Sequence, residues 1–273
     1  MKKRKQKKNK CKNRFIIVGI IVVIAILSLI LYINKKECYK VSSRVNKLKE
    51  TIKKEDSDLI YKTVGWLRIQ GTNIDYQIIH NKEDGHEYPA EKEYYLWTNN
   101  DFTKSSNNYI INGHNIFNLS AVPKRESKLF TRTEELMKFI YYDFVKKNKY
   151  MQLTIDNKDY LYKVFSVAFI SGSDSTFIPI SDSLDSKEMK HYINILKRNS
   201  IYDYDVDVNE KDKIITVTTC TRMFLDPDME VMYVSGRLLR SDEKNKNYGV
   251  EKNRNYNMIE KAWEDVEDED EEV

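Results

Sequence analysis

The sequence predicts an all-β fold with added helices, preceded by an N-terminal transmembrane helix and a stalk helix. Three observations predict it. Seven or more short β-branched and aromatic runs lie between residues 64 and 239, bounded by turn residues such as QGTN, SGSD and NEKD. Only two amphipathic helical stretches interrupt that series. An uncharged apolar run of 19 residues precedes everything else.

The elements follow in order. Of the 273 residues, 41% are hydrophobic and 32% charged, which is ordinary for a globular domain with charged extremities. The net charge of +4 conceals two extremes. Residues 1–14 (MKKRKQKKNKCKNR) hold nine Lys/Arg and no acid, and residues 263–273 (WEDVEDEDEEV) hold eight Asp/Glu and no base. Like charges repel, so both ends read as unfolded tails. A basic run invites a nucleic-acid reading, but its place just before an apolar segment favours the membrane. Residues 15–33 (FIIVGIIVVIAILSLILYI) are long enough to span a bilayer as helix, and no small-residue cleavage site follows them. The asymmetry of positive charge predicts a single-pass signal anchor with a cytoplasmic N-terminus and an extracellular domain.

Residues 34–62 are predicted as an N-terminal helix or stalk, with Val41, Val45, Leu48 and Ile52 at helical spacing. The strands are then VGWLRI, IDYQIIH, NYIING, MQLTI, YLYKVFSVAFI, KIITVTTC and EVMYVSGRLL. A helix over 133–147 opens on the capping-box pattern Thr131-x-x-Glu134 and shows Leu136, Phe139, Ile140 and Phe144 on one face. Another over 186–198 opens on Asp185-x-x-Glu188, with Met189, Tyr192, Ile193 and Leu196 in one stripe. Residues 63–240 therefore form one β-domain, a barrel or sandwich. Residues 241–273 are a polar to acidic tail, predicted to be disordered.

Of three cysteines, Cys11 falls in the basic tail, Cys38 just beyond the apolar run, and Cys220 in the β-domain. A lone cysteine in an exported domain is an inert core residue or a working thiol. Cys220 ends a strand, where a side chain is held rigidly yet opens toward a loop. A thiol attacks as thiolate, and a nearby cation favours that form. Arg222 is such a cation in the sequence. His114 follows the strand YIING and supplies a proton shuttle near neutral pH, although histidine after glycine is also a common turn residue. His80 and His86 flank a turn-like NKEDG, and His191 lies on the polar side of the second helix. No metal-ligand spacing and no Gly-rich phosphate loop occurs, so no cofactor or metal is expected and nucleotide binding has no support.

TVTTC at 216–220 resembles the sortase signature TLxTC, with Val217 in place of Leu. NGHN at 112–115 resembles the family's histidine motif, VGWLRIQGTNIDYQII at 64–79 its opening strands, and YYLW at 94–97 its Tyr-Leu. KEMKHYINILKRNSIYDYDV at 187–206 is similar to the helical insertion of class B members, and the extra N-terminal helix agrees. The resemblance covers residues 63–240. It implies an eight-stranded sortase β-barrel and a cysteine transpeptidase of Gram-positive bacteria. Its partners would be secreted proteins bearing a C-terminal sorting motif, and an amine acceptor such as a peptidoglycan precursor or a pilin lysine. It also implies Cys220 as nucleophile and His114 as acid and base. The family's arginine is the departure. Its expected place falls near Glu230 or Val231, neither of which can serve. Arg222, Arg237 or no equivalent remain open, and Arg222 is preferred over Arg237, which lies about 20 Å further along at ~3.3 Å per residue. The stretch between YYLW and NGHN is also short, so the groove floor differs. A hydrolase on the same scaffold and a non-catalytic surface module are the competing readings.

Overall fold

The computed structural model describes residues 17–28, 39–55, 61–81, 96–100, 102–128, 130, 133–170, 178–179, 181–224 and 231–271. Contacts divide the chain into two units, Met1–Lys40 with Lys244–Asn247, and Val41–Glu243 with Tyr248–Val273. In the first unit, residues 17–28 form helix α1, whose apolar side chains from Ile17 to Leu27 are about half exposed. Among the described residues no helix is long and apolar enough to cross a membrane. The remainder of the expected anchor, residues 15–16 and 29–33, lies outside the described residues, as do Cys11, Cys38, Thr131, His86 and Glu230.

The second unit holds a closed barrel of eight strands in the order β1-β2-β3-β4-β8-β9-β6-β5. They are β1 (Tyr61–Ile69), β2 (Asp75–Asn81), β3 (Leu96–Thr98), β4 (Asn108–Gly113), β5 (Tyr150–Ile155), β6 (Lys158–Phe169), β8 (Ile214–Cys220) and β9 (Val231–Leu238). A separate pair joins β7 (Tyr202–Tyr204) to β10 (Val250–Lys252). Alternation sends Leu67, Ile78, Ile111, Leu153, Val164, Val217 and Val234 inward to one core. Two joints are parallel, β2–β3 and β4–β8. The second sets the site, because it brings two distant strand ends to one rim.

The expected N-terminal helix is packed and short. Helix α2 (Val45–Lys54) stops where Glu55 turns extended, and its Leu48 is buried. Arg44 just before it forms a two-pronged pair with Asp75 at 2.7 and 2.5 Å. Burial pushes the Asp75 carboxyl up, but hydrogen bonds from Arg44 and Trp66 and the charges of Arg44 and Lys47 outweigh it and hold it below its ordinary value.

The helix expected over 133–147 is instead a 3-10 helix, Thr133–Ile140, followed by one α-turn, α3 (Tyr142–Val145). All eight residues of the 3-10 segment are buried, so no single stripe sets its twist. The Asn118 side chain donates to the Glu134 carbonyl at 3.3 Å and competes with the α-helical ladder there. The second helix matches its prediction. In α4 (Ser186–Arg198) the Asp185 side chain takes the Glu188 N–H and the Glu188 side chain takes the Asp185 N–H, both at 2.8 Å. Its stripe packs outside the barrel against Phe165, Ala168, Ile214 and Tyr233. Truncating Leu196 there to alanine costs about 2–5 kcal/mol.

The predicted disordered tail is corrected. After β10, Asn253 caps a 3-10 turn at Arg254–Tyr256, and α5 runs Asn257–Glu271. Tyr256, Ile259 and Ala262 are buried in the main core, and Trp263 stacks on Tyr141 at 5.6 Å. An apolar stripe of four residues overrides the high charge around it.

Candidate active site

Three strands carry the site side by side. β4 runs parallel to β8, with Asn112 opposite Thr218 and Gly113 opposite Thr219. β9 runs antiparallel to β8, with Tyr233 opposite Thr218 and Val231 opposite Cys220. Side chains alternate faces, so Thr219 points inward and Thr218 and Cys220 outward. One polar row on the outer face is therefore Asn112, Thr218 and Tyr233. The next row, at the rim, pairs Cys220 with Val231, and His114 follows Gly113 directly off the end of β4. Thr219 stands opposite Gly113, so the register brings the ends of β4 and β8, and with them His114 and Cys220, to the same rim. Both Cys220 and His114 are exposed.

Buried hydrogen bonds fix these strand ends. The Asn115 amide donates to the Cys220 carbonyl at 2.9 Å and to the Asn118 carbonyl at 2.9 Å. The Thr133 hydroxyl donates to the His114 carbonyl at 2.6 Å and lies 3.1 Å from the Thr219 hydroxyl. Thr219 in turn donates to the Gly113 carbonyl at 2.9 Å. Thr133 also explains Gly113, since any Cβ at that position would collide with the Thr133 side chain. The clamp holds the main chain of both residues and leaves their side chains to the surface. His114 is further oriented by Trp97, whose ring lies 4.4 Å from the imidazole at 39°.

A groove of about 460 Å3 opens at Cys220. Its lining includes Trp97, Asn99, Asn100, Ile178, Val231 and Tyr233. Asn99 and Asn100 come from the short stretch between YYLW and NGHN that the sequence marked as altered. Burial raises the Tyr233 hydroxyl above its ordinary pKa, and the charge of Cys220 raises it further. Tyr233 therefore stays protonated and able to donate.

The two arginines lie elsewhere. Arg237 pairs with Ile214, six residues along β9 from Val231, or about 20 Å at ~3.3 Å per residue. It is 1% exposed and bound to Glu243, at 2.8 Å through Nη2. Arg222 is exposed, and its backbone N–H donates to Leu119 at 3.0 Å. Its side chain lines a neighbouring cleft of about 550 Å3 with Phe224 and Met258. Val231 opposite Cys220 offers no donor. Of the other histidines, His80 sits within β2 opposite Lys62 and Thr98, and His191 is exposed on α4. Asn115 and Trp97 stand within the sequence motifs at 112–115 and 94–97, whereas nothing local flags Thr133 or Tyr233.

Comparison with known proteins identifies relatives of this arrangement. Residues 67–238 match the Sortase domain model. Sortase B of Listeria monocytogenes is 28% identical over 187 residues, covering 64% of this chain and 67% of that protein. Sortase B of Staphylococcus aureus is 24% identical over 197 residues, covering 68% and 72%. The crystal structure of Clostridium perfringens sortase B superposes with a TM-score of 0.54 at 20% identity, covering 71% of this chain and 99% of that one.

Proposed function

Since the chain belongs to the sortase family and is a cysteine transpeptidase with class B relatives, we propose that Cys220 and His114 perform its acyl transfer. The Cys220 thiolate attacks the threonine carbonyl of a C-terminal sorting motif. The peptide bond breaks, a thioacyl enzyme forms, and His114 gives its proton to the departing amine. An amine acceptor then attacks the thioester, His114 takes the proton, and the thiolate leaves. The acceptor is a peptidoglycan precursor or a pilin lysine. The observation that supports this reading is the parallel β4–β8 register, which ends on Gly113 opposite Thr219 and so carries the next residues, His114 and Cys220, to one rim.

Arg222 completes the proposal as the cation that stabilises the oxyanion. Its place two residues after Cys220 supports it. Because its side chain lines the adjoining cleft, the role requires the loop to turn over the thiol. Arg222→Ala then lowers kcat/KM by about a hundredfold, and an unchanged rate removes the assignment. The basic tail and the apolar run at 15–33 support single-pass anchoring with the catalytic domain outside the cell. Membrane fractionation and protease accessibility of intact cells test that topology.

The test of the reaction uses the full chain and a panel of sorting-motif peptides, with and without hydroxylamine as acceptor. Intact-mass spectrometry detects a thioacyl adduct on wild type and none on Cys220→Ala. Product that requires hydroxylamine marks transfer, and product equal without it marks a hydrolase. An adduct persisting in Cys220→Ala overturns the assignment.

A further inference from the structure

The polar row one step below the rim has no use in the chemistry just described. The Thr218 hydroxyl donates to Asn112 Oδ1 at 2.7 Å. That bond occupies the amide's oxygen and fixes which way the group faces. Among the described residues the amide nitrogen meets no acceptor, although Asn112 lines the groove. Across Thr218 stands Tyr233, 7% exposed, whose hydroxyl likewise meets no hydrogen-bond partner among the described residues. Two donors thus flank one oriented hydroxyl on the groove floor. The donors matter because side chains on this face repeat every two residues, about 7 Å along the strand. Carbonyls on one edge of an extended peptide repeat at the same interval. A peptide lying along β8 with its scissile carbonyl at Cys220 brings the carbonyl two residues away to the row of Asn112.

We propose that Asn112, with Tyr233 opposite, hydrogen-bonds the main chain of the acyl-donor peptide and sets its register on the nucleophile. The row reads backbone rather than side chains, so it contributes to binding of any extended donor sequence. The idea rests on the acyl-transfer reading and adds a substrate-binding role to that site.

The experiment measures donor KM for whichever panel peptide wild type acylates, in the full chain. Asn112→Ala raises donor KM about fivefold to tenfold, the loss of one hydrogen bond. Tyr233→Phe, which keeps the ring packing, raises it about threefold. Thr218→Val raises it as well, but Asn112→Ala/Thr218→Val is no worse than Asn112→Ala alone, because the hydroxyl acts through the amide. The KM for hydroxylamine and the rate of Cys220 alkylation by iodoacetamide stay at wild-type values in all of them. Wild-type donor KM in Asn112→Ala overturns the inference. So does a loss matched by slower alkylation, which marks a structural role. If wild type acylates with no peptide, the acyl-transfer reading fails and this inference with it. If wild type acylates and Asn112→Ala binds equally well, only this inference fails.

Discussion

At one end of the β8–β9 pair stand Cys220 and Val231; six rungs away, at the other end, stand Ile214 and Arg237. The far end is charged and closed. Arg237 is buried and binds Glu243, which also meets Lys163 at 3.2 Å. Arg240 adds pairs with Asp207 and Asp212, each at 2.7 Å. The Cys220 end is open, and its main chain is pinned by neutral hydrogen bonds from Asn115, Thr133 and Thr219. The same two strands thus serve two purposes. Ion pairs consume a cation, so an arginine committed to carboxylates has nothing left for a substrate. Neutral clamps fix the backbone without spending the thiol or the imidazole.

The contrast makes the two ends separable by mutation. The largest effect belongs to the open end. His114→Ala lowers turnover of the donor peptide by about 10²–10⁴-fold while leaving the melting temperature unchanged. A matching loss of stability would show that the imidazole is structural. At the closed end, Glu243→Gln leaves Arg237 buried without its charge partner and costs about 3 kcal/mol in urea unfolding. Turnover per folded molecule stays at wild type there, and a selective loss of turnover would join the two ends functionally. Asn115→Ala lies between these cases. It removes three hydrogen bonds, to the Cys220 and Asn118 carbonyls and from the Asn118 N–H, and costs about 1–3 kcal/mol, and turnover falls with stability because the Cys220 carbonyl is released.

The smallest effect is a pH dependence. The Arg237 hydrogen bond first, opposed by burial and aided by the Arg240 N–H and Lys163, lowers the Glu243 pKa from 4.5 to about 2. A lowered carboxylate pKa stabilises the fold above the unfolded value and loses that contribution as pH falls through the folded one. The stability advantage of wild type over Glu243→Gln is therefore full above about pH 4.5 and shrinks toward pH 2. An advantage independent of pH across that window would mean that shape, not charge, holds the closed end.

Much of this was legible in the sequence. Runs of β-branched and aromatic residues bounded by turn residues mark seven of the eight barrel strands, because those side chains suit a pleated, buried backbone. Strand β3, with three residues, is too short for any period. The Asp185 capping box marked α4 to the residue, since its signal is local. Helix α5 escaped because Tyr256, Ile259, Ala262 and Trp263 are diluted by acids, and only the core they enter reveals them. The 3-10 geometry of Thr133–Ile140 escaped because the stripe of Leu136, Phe139 and Ile140 reads as α-helix, and only the burial of all eight residues and the Asn118 bond to the Glu134 carbonyl reveal the tighter winding. At the site, Cys220 and His114 were visible as strand-end residues. No local signal gives the parallel pairing of β4 with β8, strands about a hundred residues apart, that carries their ends to one rim. The arginines were the least legible, because sequence distance from Cys220 says nothing about which carboxylates Arg237 meets.

The adjacency itself is open to a direct measurement that needs no substrate. In a full chain with Cys11→Ser and Cys38→Ser, the change His114→Cys puts a second thiol on the rim beside Cys220. Mild oxidation should then remove both thiols from titration, reversibly with dithiothreitol and with no dimer formed, because neighbouring strand positions fall within the Cα separation a disulfide tolerates. Two thiols that remain titratable under the same oxidation would contradict the account.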